Sequence, residues 1–517
     1  MNQCARTFIL VGLVVAILLA LHFLPQLTIG DQQLRRVNLL SDVLPEVLPD
    51  DLDAMPEIPI PQQTLQPQRT QQAQRTLPQP LPAGRGVDSS ATSVSAASSV
   101  SADESIYSPP NREGPGEGPA GLESQEGLKG QEGLSDEGPH ILDYSQGQPG
   151  GMQHFYHALA SVSQLGRPVR VAYYGDSFIE GDIFTADLRE LLQDRFGGNG
   201  VGWVDCASQV HGFRTTVGHT FSGIHEYEVV KRPFNAANQG IAQRYFTVAD
   251  GARITYKGSK MRRHLSAWDQ AIFYLRSGGG LKLKATFNGD TTVVDSVPGS
   301  QNLQAIVRTA GWQPGDSLQR PRQMTSASYT VSKAGNSTLL FGVALEPKQG
   351  VVVDNFSMRG SAGYTLSQIP AATLAQFAAQ RPYDLIVLHF GLNVANSKQG
   401  NYSGYTRQMG QAIDHLRQAY PQASILIVSM PDRDQRTDAG LRTMKGVEQL
   451  VAYQQLMASE HAVSFFSLFQ AMGGRESMKD LVDRGLANKD YTHINFKGGR
   501  YLARFLFDAL MAGYGGK

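Results

Sequence analysis

Apolar residues are distributed along this chain in several distinct rhythms. From Phe8 to Leu24 they run almost unbroken, with Gly12 and His22 as the weak points. A run of about 17 residues is at the short end for a membrane-spanning helix and long for the apolar part of a signal peptide. Residues 1–30 are therefore expected to form an N-terminal membrane anchor. A signal sequence cleaved near Gly30 is the alternative, with Thr28 and Gly30 as the small residues that such cleavage needs. Both readings place the rest of the chain outside the cytoplasm.

From 31 to 145 no apolar period is sustained. Pro and Gln crowd Pro59 to Pro82, Ser and Ala fill Ser89 to Ala102, and Gly and Glu dominate Glu113 to Gly138. Such stretches bury too little apolar surface to offset chain entropy, which predicts a disordered linker. A flexible tether of about 110 residues has an r.m.s. reach of roughly 60 Å.

Regular periods begin near Gly151. Met152 to Leu165 has helical spacing, Pro168 to Tyr174 (PVRVAYY) reads as a buried strand, and Asp182 to Phe196 as an amphipathic helix capped by Asp182. After Gly197 the period shortens to two. Arg253 to Tyr256, Ala271 to Leu275, Leu281 to Phe287 and Ser337 to Leu345 alternate, with Gly-rich and Asn288-Gly289 turns between them. Strand–helix alternation then resumes with strands at Tyr383 to His389, Ala423 to Met430 and Val463 to Phe466. Helices are expected at Tyr402 to Ala419, Leu441 to Glu460 and Lys497 to Met511. The fold class expected is α/β, a parallel sheet sandwiched by helices over 146–204 and 351–517, interrupted by an inserted β-sandwich at 205–350.

Charge and cysteines narrow the function classes. Lys+Arg and Asp+Glu each total 46, and no long basic run occurs, so no nucleic-acid partner is expected. Cys4 and Cys206 lie on opposite sides of the Phe8 to Leu24 run, which excludes a disulfide framework and a cysteine zinc site.

Three short motifs carry chemistry. Gly175-Asp176-Ser177 sits where a buried strand ends, and the carboxyl ends of parallel strands line the ligand crevice of such sheets. Taken alone it is an ordinary capped turn. Gly391-Leu392-Asn393 follows the strand ending at His389, where an Asn amide is placed to donate to a developing oxyanion. In isolation it too is a common turn. Asp490-Tyr491-Thr492-His493 precedes the last helix, and its spacing lets a carboxylate orient an imidazole that takes a serine proton.

Together these pieces resemble the SGNH (GDSL-like) hydrolase family, over roughly residues 165–515. Its pattern is a GDS block, a later oxyanion glycine, a G-x-N block and a terminal D-x-x-H, and all four occur here in order. The resemblance implies a flavodoxin-like sheet and a serine esterase with Ser177 as nucleophile, His493 as base and Asp490 as its orienting carboxylate. It also implies an oxyanion hole that includes Asn393 and a glycine of the Asp354 to Tyr364 stretch, Gly363 first and Gly360 second. The third block reads GLNV, where many family members have Asp after the Asn. The runs Phe196 to Trp203, Ala471 to Gly474 and Asp490 to Gly499 bring the chain nearest to a bacterial branch that includes peptidoglycan O-acetylesterases. That branch implies an acylated cell-envelope carbohydrate as substrate; the serine mechanism requires no metal or organic cofactor, and the Phe8 to Leu24 run with its tether leads us to expect a catalytic domain facing the periplasm or exterior from the inner membrane. Two rival readings are an O-acetyltransferase supplied by a membrane acyltransferase partner, and a non-catalytic polysaccharide-binding scaffold.

Other residues have blander expectations. His154 and His157 share a helix face without a third metal ligand nearby. His389 reads as a strand-end packing residue, Asp432 and Asp434 as solvated loop charges, and Trp268 and Trp312 as buried or, if exposed, sugar-stacking.

Overall fold

The computed structural model describes residues 140–311, 323–335, 337–398 and 400–515, and the backbone of 28–29 and 32–33. The Phe8 to Leu24 run, nearly all of 31–145 and Trp312 lie outside the described residues. Among the described residues no helix is long and apolar enough to cross a membrane.

The chain opens with β1 (Leu142–Asp143), α1 (Gln153–Ala160), β2 (Val169–Gly175) and α2 (Thr185–Phe196). Nine strands follow: β3 (Gly202–Val204), β4 (Val217–Glu228), β5 (Arg244–Gly258), β6 (Gln270–Ser277), β7 (Leu281–Phe287), β8 (Thr291–Val297), β9 (Ser300–Thr309), β10 (Ser326–Ser332) and β11 (Thr338–Glu346). Then come β12 (Val351–Ser357), α3 (Ala371–Gln380), β13 (Leu385–His389), α4 (Ser403–Ala419) and β14 (Ser424–Val428). A hairpin, β15 (Asp434–Thr437) and β16 (Gly440–Thr443), leads to α5 (Gly446–Glu460) and β17 (Ser464–Phe466). The chain ends through α6 (Leu468–Ala471), α7 (Ser477–Asp483) and α8 (Phe496–Gly515).

The site is carried by a six-stranded sheet of order β12-β2-β13-β14-β17-β1, parallel except for β1 at its edge. β2, β13 and β14 are buried along their whole length, which is why VRVAYY, LIVLH and SILIV read as continuous apolar runs rather than alternating ones. Register places Gly175 beside both Ser357 and His389, so three loops leave the sheet side by side at its carboxyl end.

Several boundaries differ from the sequence reading. Order reaches back to β1, inside the stretch assigned to the linker, because Leu142 pairs with Phe465. The helix expected at Met152 to Leu165 stops at Ala160. Asp182 does not cap α2. It lies before the helix with φ +65° and bonds the side chain of Thr185. Neither β12 nor α3 is among the elements that the periodicity predicts. VVVDNF lies against the end of the alternating block, and AATLAQFAAQ is short and polar on one side.

Residues 202–346 form one antiparallel sheet of order β8-β7-β10-β5-β11-β6-β9, with β3 on β11 and β4 on β5. The block has its own core, in which Phe246, Ile254, Phe273, Leu283, Tyr329 and Val343 are buried together. It is not the self-contained sandwich that alternation implied. β11 is buried at every position, and Leu339 and Phe341 join Ile272 and Tyr274 of β6 in the core of the α/β layers. Trp203 sits at that seam, stacked 5.3 Å from Tyr274 and edge-on 6.1 Å from Phe377 of α3. An unbroken apolar strand must be covered on both faces, and here the parallel sheet's helix covers the second.

Beside this seam lies a buried charge network. Arg381 donates to both Asp354 oxygens (2.8 and 2.9 Å) and to Glu346 (2.8 Å), and Arg170 donates to Glu346 (2.7 and 3.1 Å). Glu346 ends β11, while Arg170 and Asp354 lie in the parallel sheet. Burial alone pushes the Glu346 carboxyl up, but Arg170 and Arg381 outweigh it and hold it at about 2, against an ordinary 4.5. Its stabilisation is thus present above pH 4.5 and is lost as the pH falls toward 2. Arg381→Leu leaves two buried carboxylates facing one cation and is expected to cost about 3–5 kcal/mol in denaturant unfolding. A loss below about 1 kcal/mol would show that the network contributes no stability at this seam.

Candidate active site

Gly175 ends β2, and the chain turns at once into a 3₁₀ turn, Ser177–Asp182. Asp176 starts it, its Oδ1 accepting from the Phe178 N–H at 3.0 Å. Burial raises the Asp176 carboxyl to about 6, against the pull of the N–H groups of Phe178, Leu392 and Gly391 and the charge of His493. Asn355 of β12 ties down the same turn, donating to Ile179 O (2.8 Å) and to Thr185 Oγ1 (2.7 Å).

The D-x-x-H segment is folded by its own aspartate. Asp490 Oδ1 accepts from the backbone N–H groups of Thr492 and His493, both at 3.0 Å, closing a tight turn in which Tyr491 has φ +54°. The other oxygen, Oδ2, lies 2.8 Å from His493 Nδ1. Ionised, that carboxylate only accepts, which places the ring proton on Nδ1 and leaves Nε2 as an acceptor. His493 Nε2 lies 2.9 Å from Ser177 Oγ. Burial raises the Asp490 carboxyl, but the donors from His493 and Thr492 outweigh it and hold it below its ordinary value.

The two oxyanion candidates both bond to Ser361. Asn393 donates one amide proton to Ser361 O at 3.0 Å, which orients the amide and leaves its second proton for a ligand. Gly363 has φ +91°, and a Cβ there would meet Phe390 at 2.6 Å, so only glycine fits. Its N–H donates to Ser361 Oγ at 3.0 Å, so it reaches a substrate oxygen only by exchanging that partner. Gly360 is exposed, and a Cβ there would meet nothing within 4 Å.

The remaining sequence candidates have other roles. His389 is buried among Phe178, Phe184 and Tyr173, with Nδ1 3.0 Å from Tyr173 Oη, and burial lowers it to about 3. His154 pairs with Asp384 at 3.2 Å, and the described residues contain no cluster able to hold a metal ion. Trp268 is buried. Asp432 and Asp434 are a correction. Both are buried, accepting from the Met478 N–H (3.0 Å) and the Lys479 N–H (2.7 Å) at the start of α7. Asp434 also donates its N–H to Tyr491 O, so this pair braces the histidine loop from behind.

Residues 309–500 match the family model of the GDSL-like Lipase/Acylhydrolase family. The match spans Gly363, Asn393, Asp490 and His493 but begins after Ser177, whose place beside them comes from the fold. Among solved structures, a peptidoglycan O-acetylesterase is similar at 22% identity, over 73% of this chain and 99% of that one, with a TM-score of 0.58. A family two carbohydrate esterase from Cellvibrio japonicus matches at 9% identity, over 57% and 98% of the two chains, with a TM-score of 0.23. No curated protein matches the chain.

Proposed function

We infer, from a chain that carries a GDSL-like lipase/acylhydrolase domain and is a serine esterase of the SGNH type, that it removes O-acetyl groups from a cell-envelope carbohydrate. The observation that supports this reading is the relay Asp490–His493–Ser177, with steps of 2.8 and 2.9 Å, at the carboxyl end of a parallel sheet. Ser177 Oγ attacks the acyl carbon while its proton passes to His493 Nε2. Collapse of the tetrahedral intermediate expels the sugar oxygen, which takes that proton. Water then enters by the same route, and free acetate and Ser177 are regenerated. The Asn393 amide, with the N–H groups of Ser177 and Gly363, receives the oxyanion. Asn393→Ala is accordingly expected to lower kcat by about 10²–10³-fold with little change in stability. An unchanged kcat would remove Asn393 from the oxyanion hole.

The substrate class rests on the resemblance of the motif set to the O-acetylesterase branch and on the fold shared with one such enzyme. Acetate released from O-acetylated peptidoglycan or polysaccharide by the full-length protein, and not by its Ser177→Ala variant, is the test. Release of only long-chain acids from lipid esters would overturn the substrate reading. Acetate found on an acceptor sugar would instead reassign the second half-reaction to transfer.

We propose further that the Phe8 to Leu24 run anchors the chain in the inner membrane, with the catalytic domain on the far side. Arg6 precedes the run, as the positive-inside rule favours, although Arg35 and Arg36 follow soon after it. Alkaline phosphatase fused after Asp136 should be active and membrane-bound. An inactive fusion rejects the orientation, and an active one released from the membrane indicates a cleaved signal.

A further inference from the structure

The Ser177–Asp182 turn and the loop that holds Gly363 are bridged by an ion pair, Arg359 donating through Nε to Glu180 at 3.1 Å. Behind this pair a cleft of about 340 Å³ opens between the α/β layers and the β block. That volume is at the lower end of small-ligand pockets, roughly 300–1,000 Å³. One wall is Glu180, Arg359 and Gly360, and the other is Gln209 with the β4 side chains Glu226 and Glu228 and the following Lys231.

The β-block wall is built rigidly against the catalytic turn. Asp182, the last residue of that turn, accepts from Arg214 (3.0 Å) and Thr216 (2.5 Å) of the β3–β4 segment. Phe213, in the same segment, covers Gly181 so closely that a Cβ there would lie 2.5 Å from its ring. Phe213 also packs 5.6 Å from Phe496, the first residue of the helix after His493. Arg244 lies at the cleft floor, 2.5 Å from Asp205 and 3.3 Å from Glu226, and donates to Ser357 O at the end of β12 (3.0 Å).

The lining has a definite chemical character. Three carboxyls (Glu180, Glu226, Glu228) face three cations: Arg359 pairs with Glu180, Lys231 with Glu228, and Arg244 with both Glu226 and Glu228. No surplus charge remains among these residues to recruit a polyanion. Val210 and Val230 are the apolar side chains of the lining, beside the aliphatic stems of its charged residues. Fixed donors and acceptors set side by side suit a ligand whose every group both donates and accepts, as sugar hydroxyls do.

We propose that this cleft binds an uncharged saccharide, the sugar unit on the alcohol side of the ester, and that Glu228 and Lys231 of the β block are its recognition residues. The proposal rests on the esterase reading for which bond is cut, but its test is binding alone. N-acetylated chitopentaose without O-acetyl groups, an uncharged oligomer, is titrated calorimetrically into the full-length protein and into the Glu228→Ala/Lys231→Ala double variant. These two side chains pair with each other (2.5 Å), and although Arg244 loses Glu228 (3.6 Å) it keeps Asp205 and Glu226, so the variant is expected to fold. Thermal unfolding checks this, and if the double variant unfolds early, Lys231→Gln, which removes the charge but keeps a polar side chain, takes its place.

The expected result is saturable binding to the wild type, weakened at least tenfold by the substitutions, and no measurable binding of polygalacturonate. Absence of chitopentaose binding, equal binding by the variant, or tighter binding of polygalacturonate would each overturn the proposal. Binding as expected without any ester hydrolysis would leave the cleft assignment standing and reject the esterase chemistry instead.

Discussion

Ser177→Ala is expected to lower kcat for p-nitrophenyl acetate by a factor on the order of 10⁶, while the protein folds and unfolds as before. The hydroxyl is the group of the relay that can form the acyl-enzyme, and neither Asp490 nor His493 can replace it while holding its own role. Its Oγ hydrogen bond is to His493 Nε2, a partly exposed ring that water can satisfy, so removing it leaves no buried group unpaired. The turn itself is held by Asp176, Asn355 and the covering Phe213, none of which depends on the serine side chain. Mass spectrometry of the wild type during turnover should find the transient acetyl group on the peptide containing Ser177. Activity within about tenfold of wild type in the alanine variant would mean that another nucleophile does the chemistry.

Asp490→Asn separates the carboxylate's structural work from its chemical work. The Asn carbonyl can still accept from the N–H groups of Thr492 and His493, so the turn should persist. Its amide, however, now presents a donor to His493 Nδ1, which favours the tautomer with hydrogen on Nε2. That ring cannot take the serine proton, and kcat should fall about 10⁴-fold with KM little changed. The pH profile gives a second readout. Because Asp490 is held below its ordinary carboxyl value, its own protonation should limit wild-type kcat/KM only below the ordinary carboxyl range. An acid limb within that range, present in the wild type and absent from the Asn variant, would show otherwise. A less than roughly tenfold loss in the Asn variant would show that it does not set the tautomer.

The parts of this protein that sequence by itself determined are those whose information is local. The buried runs VRVAYY, LIVLH and SILIV declare parallel strands because every residue must be apolar when both faces are covered. The D-x-x-H turn is complete within four residues, since one aspartate oxygen folds the loop and the other meets the ring. Tertiary structure alone decided what depends on residues far apart in the chain. Ser177 and His493 are 316 positions apart, and only the sheet order and the final helix bring them to 2.9 Å. Asp432 and Asp434 looked like solvated charges because their partners, the free N–H groups of α7, lie more than 40 positions downstream. The β block read as a separate sandwich because period-two alternation describes one strand at a time. Whether a second apolar face has company is settled only when α3 and Trp203 pack against it. Burial and charge pairing are properties of the assembled neighbourhood, so the cleft at Glu228 and Lys231 could be seen only once that neighbourhood existed.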